Sequence, residues 1–163
     1  MTYNTSMPTR LALACCLVAP VLAAQPSPQA QCSSLRALTG YEFSVVTAVL
    51  HPAAGNVPEF CRVVGQVQPE VRFEVSLPTF WNKRLLMAGN GGYAGEDLET
   101  PGRIAGRNEA LRKEFTFAQT NTGHDAGQEP LGTFAVNSQK LFDYAFRAVH
   151  VTAETAKKLA TAY

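Results

Sequence analysis

The sequence has no run of basic residues. Its 14 Lys and Arg are scattered among 13 Asp and Glu, for a formal net charge of +1. A nucleic-acid partner needs a basic stripe to neutralise phosphates, so none is expected. Charged residues are few, at 17%, against 46% hydrophobic, which excludes a disordered composition. No internal repeat and no low-complexity tract stands out. No second Cys or His sits at ligand spacing from Cys32 or Cys61, which argues against metal there. No apolar run reaches the roughly 20 residues that a membrane-spanning helix requires. What remains, in 163 residues, is enough for one sizeable core.

The longest apolar run is "LALACCLVAPVLAA" (11–24), preceded by Arg10 and ending in small residues. Its length and its Ala23 and Ala24 ends read as a signal peptide over residues 1–24, with Met7 an alternative start. Cys15 is a poor lipidation site, because the apolar stretch before it is only "LALA". Export predicts a secreted or periplasmic protein, free of the membrane after cleavage. Loss of Arg10 leaves the mature piece formally neutral. Cys32 and Cys61 remain as an even pair in an oxidising compartment. Joined, they would close a loop of roughly 30 residues, for which loop entropy gives about 3.6 kcal/mol. Two free buried thiols are the alternative.

Residues 25–31 read as a flexible start. "FSVVTAVLH" (43–51) and "FCRVVGQVQ" (60–68) are rich in β-branched residues and predict strands. "VRFEVSLP" (71–78) alternates Val71, Phe73, Val75 and Leu77 against Arg72, Glu74 and Ser76, as a half-buried antiparallel strand does. Pro69 and Glu70 suit the hairpin connection before it. "KRLLMAG" (83–89) predicts a short strand, 103–114 a helix burying Ile104, Leu111 and alanines, and 115–121 another strand. Leu141, Phe142, Ala145, Phe146 and Val149 form a helical stripe over 138–150, expected to face the core, with Asn137 as its cap. Residues 152–163 continue helical. The order predicts an α/β fold: antiparallel N-terminal strands leading into a parallel sheet with crossover helices. A closing strand is missing after Tyr163, so residues 25–163 read as the front part of a longer domain.

"NGGYAG" (90–95), at the C-terminal end of the strand over 83–89, admits three readings. Gly89, Gly91 and Ala94 fit a loose G-x-G-x-x-A dinucleotide fingerprint. The acidic "EDLETPG" (96–102) follows where an anion-binding helix should begin, and opposes it. The glycines could serve only a tight turn. The third reading is an oxyanion hole, in which a loop amide after the third strand of an α/β-hydrolase faces the tetrahedral oxygen. A donor of that kind is worth roughly 3 kcal/mol of barrier. This last reading accounts for position, glycines and absence of basic residues together.

"NGGYAG" (90–95), "AQTNTGHDA" (118–126) and "NSQKLFDYAFRAVHVTAETAKKL" (137–159) together resemble the tannase and feruloyl esterase family. The resemblance runs from about Cys32 to Tyr163. It implies a partial α/β-hydrolase fold, truncated before the nucleophile elbow. It also implies a Ser-His-Asp acyl-enzyme mechanism and a small aromatic-acid ester as substrate, of tannin or feruloyl type. It matches Gly91 and Gly92 to the oxyanion loop, Gly92 being the better donor, and Cys32–Cys61 to an N-terminal disulfide. The family's Cys-Ser-x-Gly-Gly motif is absent, as is G-x-S-x-G, so every triad member should follow Tyr163 and the segment alone should be inert. The large lid that the family carries, with its calcium ion, has no residue here. The competing expectation is a small exported binding module whose glycine loop grips a ligand.

Other residues tempt less. His124 precedes the expected nucleophile position, so it reads as a histidine that satisfies buried backbone groups. His124, Asp125 and Glu129 imitate a metal site, but neighbouring His and Asp side chains point apart. His150 reads as packed and hydrogen-bonded, and His51 as partnerless at a strand end. Ser138 starts a helix, and neither it nor Ser44 is a nucleophile. Phe80 and Trp81 read as packing a loop against the sheet.

Overall fold

The computed structural model describes Met1 and residues 25–163; the predicted leader, apart from Met1, lies outside them. A helix α1 (Pro28–Ser34) opens the fold, with Ser27 capping it and Pro28 in its first turn. Five strands follow: β1 (Ser44–His51), β2 (Phe60–Val67), β3 (Val71–Pro78), β4 (Leu85–Met87) and β5 (Thr116–Thr120). Helix α2 (Pro101–Arg112) joins β4 to β5. After β5 come α3 (Ser138–Phe142), a π-helical turn (Asp143–Arg147) and α4 (Ala148–Ala162), which follow one another directly.

The strands form one mixed sheet in the order β1-β2-β3-β5-β4. The first three pair antiparallel, β3 pairs antiparallel with β5, and β4 runs parallel to β5. The predicted antiparallel edge is therefore present, and the β4–α2–β5 crossover supplies the parallel pair. β2 and β3 make the predicted hairpin, through a cis bond at Gln68–Pro69. Among the described residues no helix is long and apolar enough to cross a membrane.

One face of the sheet carries the apolar core. Val63, Val67, Val71, Phe73, Val75, Leu77 and Ala118 meet Leu35 beside α1 and Ala156, Leu159 and Ala160 of α4. Each buried side chain of Val or Leu size contributes about 1.5–3 kcal/mol. Cys32 and Cys61 are joined across this core, which removes the free-thiol alternative.

The other face departs from expectation. β3 is buried on both sides, because α2 covers Glu74 and Ser76. Glu74 is compensated by charge: Arg62 Nη2 donates to it at 2.8 Å and Arg107 Nη1 at 3.1 Å. Arg107 also reaches Glu99, and its guanidinium lies over the Phe60 ring. The helix thus buries Arg107 with Ala110 and Leu111, while Ile104 is half-buried and Ala105 exposed.

The C-terminal helix is turned relative to its predicted stripe. Leu141, Phe142, Ala145, Phe146 and Val149 are all exposed, Phe146 by 74%. The buried positions are Asp143, Ala148, Thr152, Thr155, Ala156, Leu159 and Ala160. The step from Asp143 to Ala148 is the spacing of a π turn, not an α turn. The cap is as predicted: Asn137 Oδ1 accepts from the Gln139 and Lys140 amides.

Candidate active-site loop

The glycine loop begins where β4 leaves the sheet. The Ala88 amide makes the last ladder bond, to the Ala118 carbonyl at 2.9 Å. Asn90 Nδ2 then donates to the Thr120 carbonyl at 3.0 Å, tying the loop to the end of β5. A turn closes next, with the Ala94 amide donating to the Gly91 carbonyl at 3.0 Å. Gly92 occupies its second position at φ +55°, which glycine adopts without strain. A trans peptide points its C=O and N–H in opposite directions. With the Gly91 carbonyl turned toward Ala94, the Gly92 N–H points out of the turn. Among the described residues, the Gly91 and Gly92 amides donate to no acceptor, and both glycines are exposed. A Cβ at either would meet nothing within 4 Å, so it is the backbone angle and not crowding that calls for glycine at 92.

The far end of the loop rests on an aromatic cluster. Gly95, at φ +78°, lies so close to His124 that a Cβ there would stand 2.5 Å from Nε2. His124 is buried and stacks on Phe134 at 3.8 Å between ring centroids, with Tyr144 edge-on. Among the described residues, neither ring nitrogen of His124 has a partner. It therefore acts as a flat packing surface, and does not satisfy backbone groups as the sequence led us to expect. Its own carbonyl accepts from Asn121 Nδ2 at 2.9 Å. Tyr144 Oη donates to the Gly92 carbonyl at 2.8 Å.

Two of the three acids after the loop are paired with arginines, and Asp97 accepts from the Glu99 amide at 2.8 Å. Burial pushes the Glu96 carboxyl up, but its own amide, Arg103 at 2.9 Å and Asn90 together hold it below the usual carboxylate range. Glu99 pairs with Arg62 and Arg107. Helix α2 starts only at Pro101, and Ala94 sits in the left-handed region at φ +56°. No helix N-terminus meets the glycines, so the arrangement that a dinucleotide fingerprint requires is not formed.

The sequence profile of the tannase and feruloyl esterase family matches residues 54–163. The chain belongs to this family. An esterase of Xanthomonas campestris, otherwise uncharacterized, is 31% identical over 152 residues, covering 84% of this chain and 26% of that protein. A probable feruloyl esterase B of Aspergillus niger is 30% identical over 159 residues, covering 85% of this chain and 29% of that protein. Among solved structures, feruloyl esterase B from Aspergillus oryzae superposes with a TM-score of 0.66 at 25% identity, over 84% of this chain and 30% of that one. The chain thus spans less than a third of the length of these tannase-family relatives.

Among the described residues, the other polar side chains singled out in the sequence do not gather into a second site. Asp125 takes Arg72 Nη2 at 3.4 Å, and Glu129 takes Lys140 Nζ at 2.7 Å. The Glu129 contact is the main reason that the Lys140 ammonium is held above its ordinary range. His124, Asp125 and Glu129 are therefore not a ligand set, and no group of three His, Cys, Asp or Glu fit to hold a metal stands among the described residues. His150 is exposed, contrary to its packed reading. His51 does have a partner, stacking on Phe60 at 5.0 Å. Trp81 is half-buried and bonds the Arg84 carbonyl, whereas Phe80 is exposed. Ser44 and Ser138 begin β1 and α3. Tyr144 is hidden in the sequence, because a tyrosine inside a helical pattern carries no local signal.

Proposed function

We propose that this chain is the N-terminal part of an exported carboxylic ester hydrolase acting on aromatic-acid esters of the tannin or feruloyl kind. Membership of the family supports an ester substrate. The observation that carries the reading within this chain is the exposed Gly92 amide at a strand's C-terminal end, which donates to no acceptor among the described residues and points out of its turn. In the proposed reaction a serine hydroxyl attacks the ester carbonyl while a histidine, oriented by an acid, takes its proton. The carbonyl oxygen becomes an oxyanion, which the Gly92 N–H stabilises together with the amide following the nucleophile. An uncharged loop suits this role, since a fixed dipole needs no counter-ion to release. Neither G-x-S-x-G nor Cys-Ser-x-Gly-Gly occurs in these 163 residues. The triad is accordingly assigned to the rest of a longer protein, and this segment alone is expected to be inert.

The test is hydrolysis of methyl ferulate and methyl gallate by the whole protein. Gly92→Ala disturbs the angle that aims the N–H, and is expected to lower kcat by about 10²-fold, in line with loss of one oxyanion donor. A folded whole protein that hydrolyses no aromatic ester, or a Gly92→Ala variant with unchanged kcat, defeats the reading.

A further inference from the structure

We propose that Tyr144 is a positioning residue for the glycine loop, setting the direction of the Gly92 peptide through its hydroxyl. The inference rests on the ester-hydrolase reading and extends it to a residue outside the loop. The Gly91–Ala94 turn is closed by one backbone bond, and the Gly91 and Gly92 amides are held by nothing among the described residues. A turn so lightly tied does not by itself fix an amide direction. Tyr144 supplies a second tie, at 2.8 Å, on the carbonyl of the residue that carries the proposed donor. That bond holds the peptide following Gly92, and with it fixed Gly92 cannot rotate freely against the turn, so the N–H in the preceding peptide keeps its direction.

The hydroxyl is itself aimed by packing. The Tyr144 ring lies 5.0 Å from Phe134, which stacks on His124, on which Gly95 rests. The loop is thus gripped at Gly92 and at Gly95 by one aromatic cluster. Tyr144 reaches it from within the π-helical turn Asp143–Arg147. Such turns insert one residue into an α-helix and are frequent at functional sites, where they redirect a side chain. The neighbouring Phe142 and Phe146 are exposed and pair with each other.

Tyr144→Phe keeps the ring and removes only the bond, and Phe146→Ser serves as the control. Two readouts are needed: deuterium exchange of the peptide spanning 88–96, in which the Ala94 amide reports the turn, and kinetics of the whole protein on methyl ferulate. Tyr144→Phe is expected to speed exchange by about tenfold and lower kcat by about tenfold, with KM within about twofold, as loss of one aimed hydrogen bond predicts. Phe146→Ser is expected to change neither. Unchanged exchange in Tyr144→Phe overturns the proposal, and so does faster exchange with unchanged kcat. If the wild-type protein hydrolyses no aromatic ester, the ester-hydrolase reading falls, and the exchange result alone decides whether Tyr144 holds the loop.

Discussion

Glu74, fully buried at the centre of the sheet, accepts a hydrogen bond from Arg107 Nη1 of α2 at 3.1 Å. This contact anchors the crossover helix to the strand beneath it, on a face where apolar burial is thin. Removing Glu74 leaves the nearly buried Arg107 with only the more distant Glu99, at 3.5 Å, as an acidic partner among the described residues. Glu74→Ala is therefore expected to cost roughly 3–5 kcal/mol of stability. Arg62→Met should cost less, since Arg62 is partly exposed and Arg107 would still satisfy the carboxylate. Urea midpoints of the two variants check the order.

The Cys32–Cys61 bridge fastens α1 to β2 across a sequence separation of 29. Loop-closure entropy predicts that reduction, or Cys32→Ser with Cys61→Ser, lowers stability by about 3.6 kcal/mol. The check is a denaturation midpoint with and without reductant, alongside a mass change of the intact chain.

His51 gives the fold an acid-side dependence. Burial first, then the charges of Arg62 and Arg107, push its imidazole below the ordinary range. The folded state thus binds the proton less readily than the unfolded chain does. The stability this confers is present above the ordinary histidine value and is lost as pH falls through the lowered one. Midpoints measured between pH 7 and 5 should decline, and the decline should be shallower in His51→Gln.

The phase of the C-terminal helix is open to a simple comparison. Phe146→Ser, on the outward face, is expected to shift the stability of this chain by no more than about 0.5 kcal/mol. Leu159→Ala, in the core, is expected to cost about 2–5 kcal/mol. Equal effects at the two positions would contradict the observed orientation.

Much of the fold is legible in the residue pattern. β-branched runs place β1 and β2, alternation places β3, a short apolar stretch places β4, β5 follows the predicted helix, and Asn137 announces the start of α3. The paired glycines after β4 mark the loop on which the functional reading stands. What escapes the pattern has a common cause. Alternation in β3 says which residues share a face, not whether a helix covers the other face, so the burial of Glu74 is invisible in it. Apolar spacing over 138–150 says that Leu141, Phe142, Ala145, Phe146 and Val149 share one side, not that this side meets the sheet; Asp143 and Ala148 are buried in their place. Arg107 looks like a surface residue because the carboxylate that justifies its burial lies 33 residues earlier in the chain. Tyr144 escapes for the same reason, its partner standing 52 residues away.

The turn at Asp143–Arg147 also makes this one place in the segment tolerant in length but not in function. A π turn takes up one extra residue locally, so deleting one there is expected to restore ordinary winding and leave Leu159 in its seat over the sheet. What such a deletion forfeits is the aim of Tyr144 at Gly92. Within α4 itself, a deletion swings everything beyond it by about 100° and is expected to unseat Leu159.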